Sequence, residues 1–257
     1  MKTEDTLVWS CGGGTQSGAI AVLIGSGRLP KPDLCFMTDT GREKSCTWPF
    51  VDNFIRTQLA RSGSELVIVK AVEFASIALF SGDTVLIPGY TDKSGDMGKL
   101  AAFCSGKWKQ DVCERYLRSI GVVTATDWIG ISLDEMRRVR KQHRGWLKLH
   151  YPLIFDVRMR RTDCVDLIRN QGWTGPIPHS ACFMCPNMAD DEWLDQQINW
   201  PDDFAEAVRI ERECRERDPH FWMHPSCQPL DTIDFREPPT AQGSFLAERG
   251  CTTGCFT

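Results

Sequence analysis

The sequence contains no apolar run that approaches the roughly 18 residues needed for a membrane-spanning helix. It also shows no N-terminal export signal, because residues 1–5 are polar and the apolar run at residues 6–10 is too short. The formal net charge of −4 gives no overall positive field that would attract nucleic acid, although a local basic patch is compatible with it. We therefore expect a soluble, cytoplasmic protein with no membrane partner.

The cysteine content is high for a chain without an export signal. There are 12 cysteines among 257 residues, or about 5%, which is below the roughly 8–10% that marks small disulfide-dependent scaffolds. In a reducing compartment, thiols serve as metal ligands or as catalysts rather than as disulfides. The cysteines are therefore candidates for chemistry.

Strand and helix signals alternate from residue 6 to residue 70, which predicts a doubly wound, mostly parallel α/β sheet. We expect an α/β domain over residues 1–155, followed by a helical, cysteine-containing region with a flexible tail over residues 156–257. Residues 89–99 are polar and glycine-rich, which predicts a loop. The predicted strands are residues 6–10, 33–38, 65–70 and 128–132, and the predicted helices are residues 17–24, 48–61, 101–120, 134–142, 163–172, 192–199 and 202–217.

A glycine-rich loop follows the first predicted strand. Successive glycines allow the backbone to turn tightly, so that several N–H groups point to one place beside the positive end of a helix dipole. Such a place binds pyrophosphate or sulfate, whereas a glycine turn without a ligand is the alternative. The loop lacks the ending of a Walker A motif and the Gly-x-Gly-x-x-Gly pattern of a dinucleotide fold. The predicted anion-binding residues are Ser10, Gly12, Gly13, Gly14, Thr15, Gln16 and Ser17.

This loop, with the sequence SCGGGTQS, resembles the PP-loop of the adenine nucleotide alpha-hydrolase superfamily. Within that superfamily, the chain is most similar to phosphoadenosine phosphosulfate (PAPS) reductase-like proteins, over most of its length. The other similar motifs are DTG at 39–41, CSGKWK at 104–109, GISLDEMR at 130–137, MRRTDC at 159–164 and SACFMCP at 180–186. Two departures weaken the expected anion site: Ala102 stands where the family often has arginine, and Ser105 replaces threonine.

The resemblance implies an adenine nucleotide, either PAPS or ATP, as the ligand. Its phosphates would lie on the glycine loop and its adenosine beside Thr38 and Asp39, in the crevice at the carboxyl ends of the strands. Asp39 would bind the ribose, or Mg²⁺ if the ligand is ATP, whereas a helix N-cap is the competing interpretation. Lys109 and Arg137 are the candidate cations that would replace the missing arginine.

The Cys182-x-x-Cys185 pair would need two further ligands to hold a metal centre. Cys104 and Cys164 lie in the other family-like motifs, and the resemblance implies a [4Fe–4S] cluster on these four residues. One alternative is zinc bound with the help of His220 and His224. Another is that the thiols are unligated or form a redox-active pair.

Cys251 and Cys255 lie in a glycine-containing tail, and the resemblance to PAPS reductases makes one of them a candidate catalytic thiol. It would attack the sulfonyl sulfur of PAPS and later be released by a thioredoxin-like reductant. The tail lacks the family's Glu-Cys-Gly type of ending, so these thiols have metal binding or no role as alternatives. A basic run at residues 137–144 is either a solvated helix face or a contact to nucleotide phosphates or nucleic acid.

Three functions follow from these features. The leading hypothesis is thiol-dependent reduction of activated sulfate by a PAPS reductase-like enzyme. The second is an ATP pyrophosphatase-type sulfurtransferase, which adenylylates an acceptor on a nucleic acid and then thiolates it with sulfur from a donor. The third is a non-catalytic module that binds a nucleotide or a metal.

Overall fold

A five-stranded sheet, in which each pair of neighbouring strands is parallel, forms the centre of the fold, as the alternating pattern predicts. The computed structural model describes residues 5–101, 103–140 and 144–236. The strand order is β3-β2-β1-β8-β9, and the shorter strands form a three-stranded and a two-stranded antiparallel sheet. The strands are β1 (Thr6–Cys11), β2 (Leu34–Asp39), β3 (Leu66–Lys70), β4 (Phe80–Ser81), β5 (Thr84–Val85), β6 (Tyr90–Thr91), β7 (Gly98–Lys99), β8 (Ala125–Ile129), β9 (Leu147–His150) and β10 (Phe221–Trp222).

The strand order reverses at β1. From β1 the chain adds β2 and β3 on one side, and then β8 and β9 on the other. Such a switch point opens a crevice outside the carboxyl ends of the two strands concerned, which is where open α/β sheets bind ligands. The loop after β1 is at this crevice.

Helices cover both faces of the sheet, because side chains of successive strand residues point to opposite faces. Val8 and Phe36 pack with residues of α4 on one face, whereas Trp9 and Met37 pack with α1 and α6 on the other. The α-helices are α1 (Thr15–Gly25), α2 (Thr47–Phe50), α3 (Arg56–Ala60), α4 (Asp111–Ser119), α5 (Pro152–Phe155), α6 (Arg161–Asn170), α7 (Asp190–Asn199) and α8 (Pro201–Arg217). One π-helical segment, Val51–Ile55, joins α2 to α3, and another, Ser105–Gln110, precedes α4.

A further hydrophobic cluster lies around α7 and α8. It contains Trp193, Phe221 and Met223, all fully buried, together with Phe183 and Cys185 of the Cys-x-x-Cys segment. Residues after 156 contribute to this cluster and, through α6, to the cluster on the sheet.

Three local predictions need correction, and one strand was not predicted. Residues 89–99 are not only loop, because β6 and β7 pair there as an antiparallel hairpin. The strand predicted at 128–132 is β8, displaced toward the N-terminus, and the charged helix predicted at 134–142 is a 3₁₀ segment, Leu133–Arg138, that kinks at Glu135. The sequence pattern missed β9, which has only four residues. No helix of the described residues has both the length and the apolar character needed to cross a membrane.

The contact between the end of α1 and the helix beside it depends on Gly25. A Cβ on Gly25 would lie 2.2 Å from the Gln58 carbonyl oxygen, a backbone atom that moves only with its helix. We expect Gly25→Ala to lower the free energy of unfolding by about 1–3 kcal/mol, because the helices must separate. Denaturant unfolding measures this loss.

The matched control is Gly145→Ala, at a position where a Cβ meets nothing within 4 Å. This variant is expected to stay within about 0.5 kcal/mol of the wild type. Equal stability of the two variants would show that the contact does not constrain α1.

Candidate functional site

The glycine loop, residues 12–17, joins β1 to α1 at the switch point and is buried throughout. Gly13 has a φ of +73°, and a Cβ there would lie 2.9 Å from Met37 Cε and from Thr47 Cγ2. Both the left-handed backbone and the close approach require glycine. The loop is therefore held tightly against β2 and the start of α2.

A segment that begins at Pro178 packs directly over this loop. The Pro178 carbonyl accepts hydrogen bonds from the Thr15 backbone N–H (3.1 Å) and hydroxyl (3.4 Å), and the Ser180 hydroxyl donates to the Gly12 carbonyl (2.6 Å). A Cβ on Gly14 would lie only 2.8 Å from the Ser180 nitrogen. The loop and the segment that leads to the Cys-x-x-Cys pair therefore form one packed unit.

Two further loop side chains are bonded inside the protein. The Ser17 hydroxyl accepts a hydrogen bond from the Gly12 N–H (2.9 Å). The Gln16 amide donates to Glu135 Oε2 (2.7 Å) and to the Ser132 hydroxyl (3.3 Å), which connects the loop to the 3₁₀ segment after β8. The amides of Gly12 and Thr15 are thus already bonded within the chain.

A small cavity of about 30 Å³ opens beside the start of the loop. Four of the predicted nucleotide-binding residues line it: Ser10, Gly12, Thr38 and Lys109. Asp39 lines neither this cavity nor the larger one described below, and its carboxylate accepts a hydrogen bond from the Gly41 N–H (2.7 Å) in the turn after β2.

Asp127 on β8 is a buried carboxyl group that the sequence analysis did not identify. Oδ1 accepts the Ser10 N–H (3.1 Å) and Oδ2 accepts the Ser10 hydroxyl (2.9 Å), with the Cys113 thiol 3.8 Å from Oδ2. Burial raises the pKa of Asp127 to about 7, although the hydrogen bonds from Ser10 and Cys113 oppose that rise. An aspartate inside an apolar strand was the only sequence signal for this contact.

A larger cavity of about 290 Å³ lies on the other side of the Pro178 segment. Cys104, Cys182 and Cys185, three of the four predicted metal ligands, line it. An isolated backbone bridge between Glu43 and Cys182 joins this segment to the residues that follow β2. The structure therefore brings three thiols from two distant motifs into the lining of one cavity, and we call this part of the lining the cysteine wall.

Cys164 is not part of that wall. It is fully buried on α6, in the cluster that packs against α1. Burial, together with the nearby carboxylates of Asp134 and Asp163, raises the pKa of Cys164 to about 12, so its thiol stays protonated. Three of the four predicted ligands therefore line this cavity, and Cys164 lies apart from them.

The two histidines of the zinc alternative are bonded elsewhere. His220 Nδ1 lies 2.7 Å from Asp92 Oδ1, and His224 Nε2 lies 3.0 Å from Asp190 Oδ1. In the part of the chain that the structure describes, no three His, Cys, Asp or Glu side chains converge as ligands of one metal ion. A zinc site of Cys182, Cys185 and these histidines is therefore not assembled.

Cationic side chains from three parts of the chain line the same large cavity: Lys109, Arg137, Arg138 and Arg161. Lys109 also lines the small cavity, and its ammonium group lies 3.5 Å from Glu43 Oε1. Arg138 pairs with Glu135, the partner of Gln16. Lys109 and Arg137, predicted as nucleotide-binding cations, are thus on the wall that also carries the cysteines.

A histidine–glutamate pair, missed from the sequence, lines the cavity near the cysteines. His179 Nδ1 lies 2.9 Å from Glu192 Oε1, and Lys44 Nζ lies 3.7 Å from the same oxygen. Burial alone would raise the pKa of Glu192, but the hydrogen bond and charge of His179, with Lys44, lower that pKa to about 2. Glu192 is therefore ionised at neutral pH and orients His179.

The remaining predicted site residues are located as follows. Gly13, Gly14, Thr15, Gln16 and Ser17 line neither cavity, because the Pro178 segment covers the loop. Cys251 and Cys255, the candidate catalytic thiols, lie outside the described residues, as do Lys141 and His143 of the basic run.

A comparison with known protein families gave no match, and a comparison with curated proteins gave none either. Among solved structures, the chain is similar to "U34-tRNA thiolase NcsA from Methanococcus maripaludis with its [4Fe-4S] cluster". That likeness covers 91% of this chain and 74% of the other, with 14% identity and a TM-score of 0.44. At this identity and score we draw no functional conclusion from it.

The buried carboxyl group of Asp127 makes stability depend on pH. Below about pH 4 it is protonated in both the folded and the unfolded chain. Between there and its folded-state pKa of about 7, the unfolded chain ionises first, so the free energy of unfolding falls as the pH rises. In Asp127→Asn the amide oxygen can still accept the Ser10 N–H, the amide nitrogen can donate to the Ser10 hydroxyl in place of the present bond, and the side chain carries no charge.

We therefore expect the stability of the wild type to fall by about 2–4 kcal/mol relative to Asp127→Asn between pH 4 and pH 8. Chemical unfolding of both proteins at several pH values measures the difference. Stability curves that stay parallel over this range would contradict the assignment.

Proposed function

We propose that this chain is a PP-loop enzyme that uses ATP to adenylylate an acceptor on a nucleic acid and then replaces the adenylylated oxygen with sulfur. One observation carries the proposal: three thiols and four cationic side chains line one cavity beside the switch point. Cations bind phosphates, and thiols bind or carry sulfur, so both halves of the reaction have suitable groups there.

The first half of the reaction is an attack on ATP. The acceptor oxygen forms a bond to the α-phosphorus, and pyrophosphate leaves with the electron pair of the broken P–O bond. Lys109 borders both cavities, and Arg137, Arg138 and Arg161 border the larger one. These cations would stabilise the negative charge that develops on the pyrophosphate.

The second half is a substitution at carbon. A sulfur nucleophile at the oxidation level of hydrosulfide attacks the activated carbon, and AMP leaves with the former acceptor oxygen. Atoms and electrons balance without an oxidant or a reductant, because sulfur replaces oxygen at the same oxidation level. The proton that the sulfur loses passes to water, and His179, held by the ionised Glu192, lines the same cavity.

The donor set on the wall fits an iron–sulfur cluster better than a single ion. Cys104, Cys182 and Cys185 would hold the cluster, and thiolates are the ligands that such clusters prefer. A cluster of several atoms does not require its ligands to meet at one point, and three side chains do not converge on one ion in the described part of the chain. When bound, such a cluster would supply iron that can carry the sulfide.

The reductase hypothesis depends on thiols that the structure does not describe. The cysteine wall and the arginines instead favour transfer of sulfur to a separate acceptor, so reduction of PAPS becomes the alternative in the test. That alternative predicts sulfite release from PAPS with a thioredoxin-like reductant and without any nucleic acid.

The test separates the two halves in anaerobically purified protein. With ATP, sulfide and RNA or single-stranded DNA, the wild type should release pyrophosphate only when nucleic acid is present, and mass spectrometry should detect thiolated nucleotides. Cys182→Ser should lose about 100-fold or more of the thiolation rate, equivalent to about 2.7 kcal/mol of barrier, but keep pyrophosphate release within a few-fold.

Cys227→Ser is the matched control, because Cys227 is half-buried and lies outside both cavities. It should keep both activities. Sulfite release from PAPS without nucleic acid, or thiolation by Cys182→Ser at the wild-type rate, would overturn the proposal.

A further inference from the structure

An arginine surface lies beside the large cavity, on two segments that pack together. It consists of Arg137 and Arg138 from the 3₁₀ segment after β8, Arg158 and Arg160 from the turn between α5 and α6, and Arg161 at the start of α6. We propose that this surface binds the sugar–phosphate backbone of an unpaired stretch of nucleic acid and leads one nucleotide into the cavity. The inference rests on the proposed function for its substrate class, and on independent contacts for its location.

Backbone hydrogen bonds bring the two segments together. The Leu133 N–H donates to the Met159 carbonyl (2.9 Å), and the Arg161 N–H donates to Asp134 Oδ1 (3.1 Å). Arg137, Arg138 and Arg161 line the cavity, whereas Arg158 and Arg160 are exposed. The positive side chains therefore run from the protein surface to the cavity wall.

The carboxylates near this surface have partners inside the protein. Glu135 pairs with Arg138, and Asp163 accepts the Arg160 N–H (2.7 Å) at the start of α6. Asp156 lies 2.8 Å from His150. Asp134, as above, accepts the Arg161 N–H.

Four arginine side chains of this surface are available to bind an external anion. Among the described residues, the structure records no salt bridge for Arg137, Arg158, Arg160 or Arg161. The five arginines of this surface face four nearby carboxylates, so its net charge is about +1 in a chain whose net charge is −4, and the unpaired guanidinium groups are the ones that can contact phosphates.

The backbone holds Arg158 in an unusual conformation. Its φ is +54°, and among the described residues only one other non-glycine residue, Cys227, has a positive φ. Such a conformation is costly for a long side chain and persists where the surroundings enforce it, commonly at a binding or active site. Arg158 and Arg160 lie in the short turn between α5 and α6.

Two apolar side chains on the same segments are exposed. Phe155 is 58% exposed and Met136 is 54% exposed. The Phe155 ring packs edge-on against Tyr151, with 6.4 Å between centroids, and Phe155 precedes Arg158 by three residues. An exposed aromatic ring beside phosphate-binding cations is the arrangement on which unpaired bases stack.

The size of the cavity also selects an unpaired strand. At about 290 Å³, it lies at the lower end of the range for small-ligand pockets. It is too small for a base pair, so the acceptor nucleotide must leave the stack to reach the thiols. A duplex would contact the arginines without using Phe155.

The proposal is tested by fluorescence anisotropy with a labelled single-stranded RNA, a single-stranded DNA and a duplex, without ATP. Arg158→Glu/Arg160→Glu should weaken binding of single strands at least about 10-fold and reduce the salt dependence by a slope of about 1.4. Phe155→Ala should weaken single-strand binding about 5-fold or more but leave duplex binding unchanged. The relative affinities for single-stranded RNA and single-stranded DNA identify which of the two is the natural substrate class.

Arg28→Glu/Arg61→Glu is the matched control, because both arginines are exposed, follow the C-terminal ends of α1 and α3, and line neither cavity. It makes the same change in charge and should bind like the wild type, and thermal melting checks that every variant is folded. Equal loss in the two double variants would overturn the proposal, as would binding to anionic lipid vesicles with the affinity of the single strands.

The design separates this inference from the proposed function. If single strands bind as expected and no thiolation occurs under any condition, the surface is retained and the sulfurtransferase proposal fails. If thiolation occurs and Arg158→Glu/Arg160→Glu binds and reacts like the wild type, the arginine surface is wrong and the reaction stands.

Discussion

The hydrogen bonds between the Pro178 segment and the glycine loop are the contacts on which the site depends. Thr15 donates to the Pro178 carbonyl, and Ser180 donates to the Gly12 carbonyl, so a segment far along the chain is fixed at the end of β1. Because Cys182 and Cys185 follow directly, the same contacts determine where the cysteine wall lies. The switch point of a parallel sheet is thereby joined to a set of thiols.

Carboxylates and cationic side chains are paired around this junction. Gln16 connects the loop to Glu135, and Glu135 in turn pairs with Arg138 at the large cavity. Lys109 borders both cavities and lies beside Glu43. An anion that enters from the surface would therefore meet a cationic side chain at each stage of its path to the glycine loop.

Much of the fold and part of the site followed from the sequence. Alternating apolar runs predicted the parallel sheet, and the motifs around Cys104, Cys182 and Cys185 predicted three thiols that share a wall. The location of Cys164 in the core did not follow from the sequence, because a cysteine in a motif and a cysteine in a core look alike without tertiary contacts. Asp127, and the pairing of His179 with Glu192, depend on residues distant in sequence, which a local pattern does not reveal.

The central claim is that a nucleotide binds beside the glycine loop and the Pro178 segment, at the cavities that Lys109 borders. Hydrogen exchange of the backbone amides, with and without a non-hydrolysable ATP analogue, measures this most directly. The account predicts that residues 10–18 and 178–185 gain protection together, because their hydrogen bonds join them. Protection confined to other parts of the chain, or no protection at saturating analogue, would contradict it.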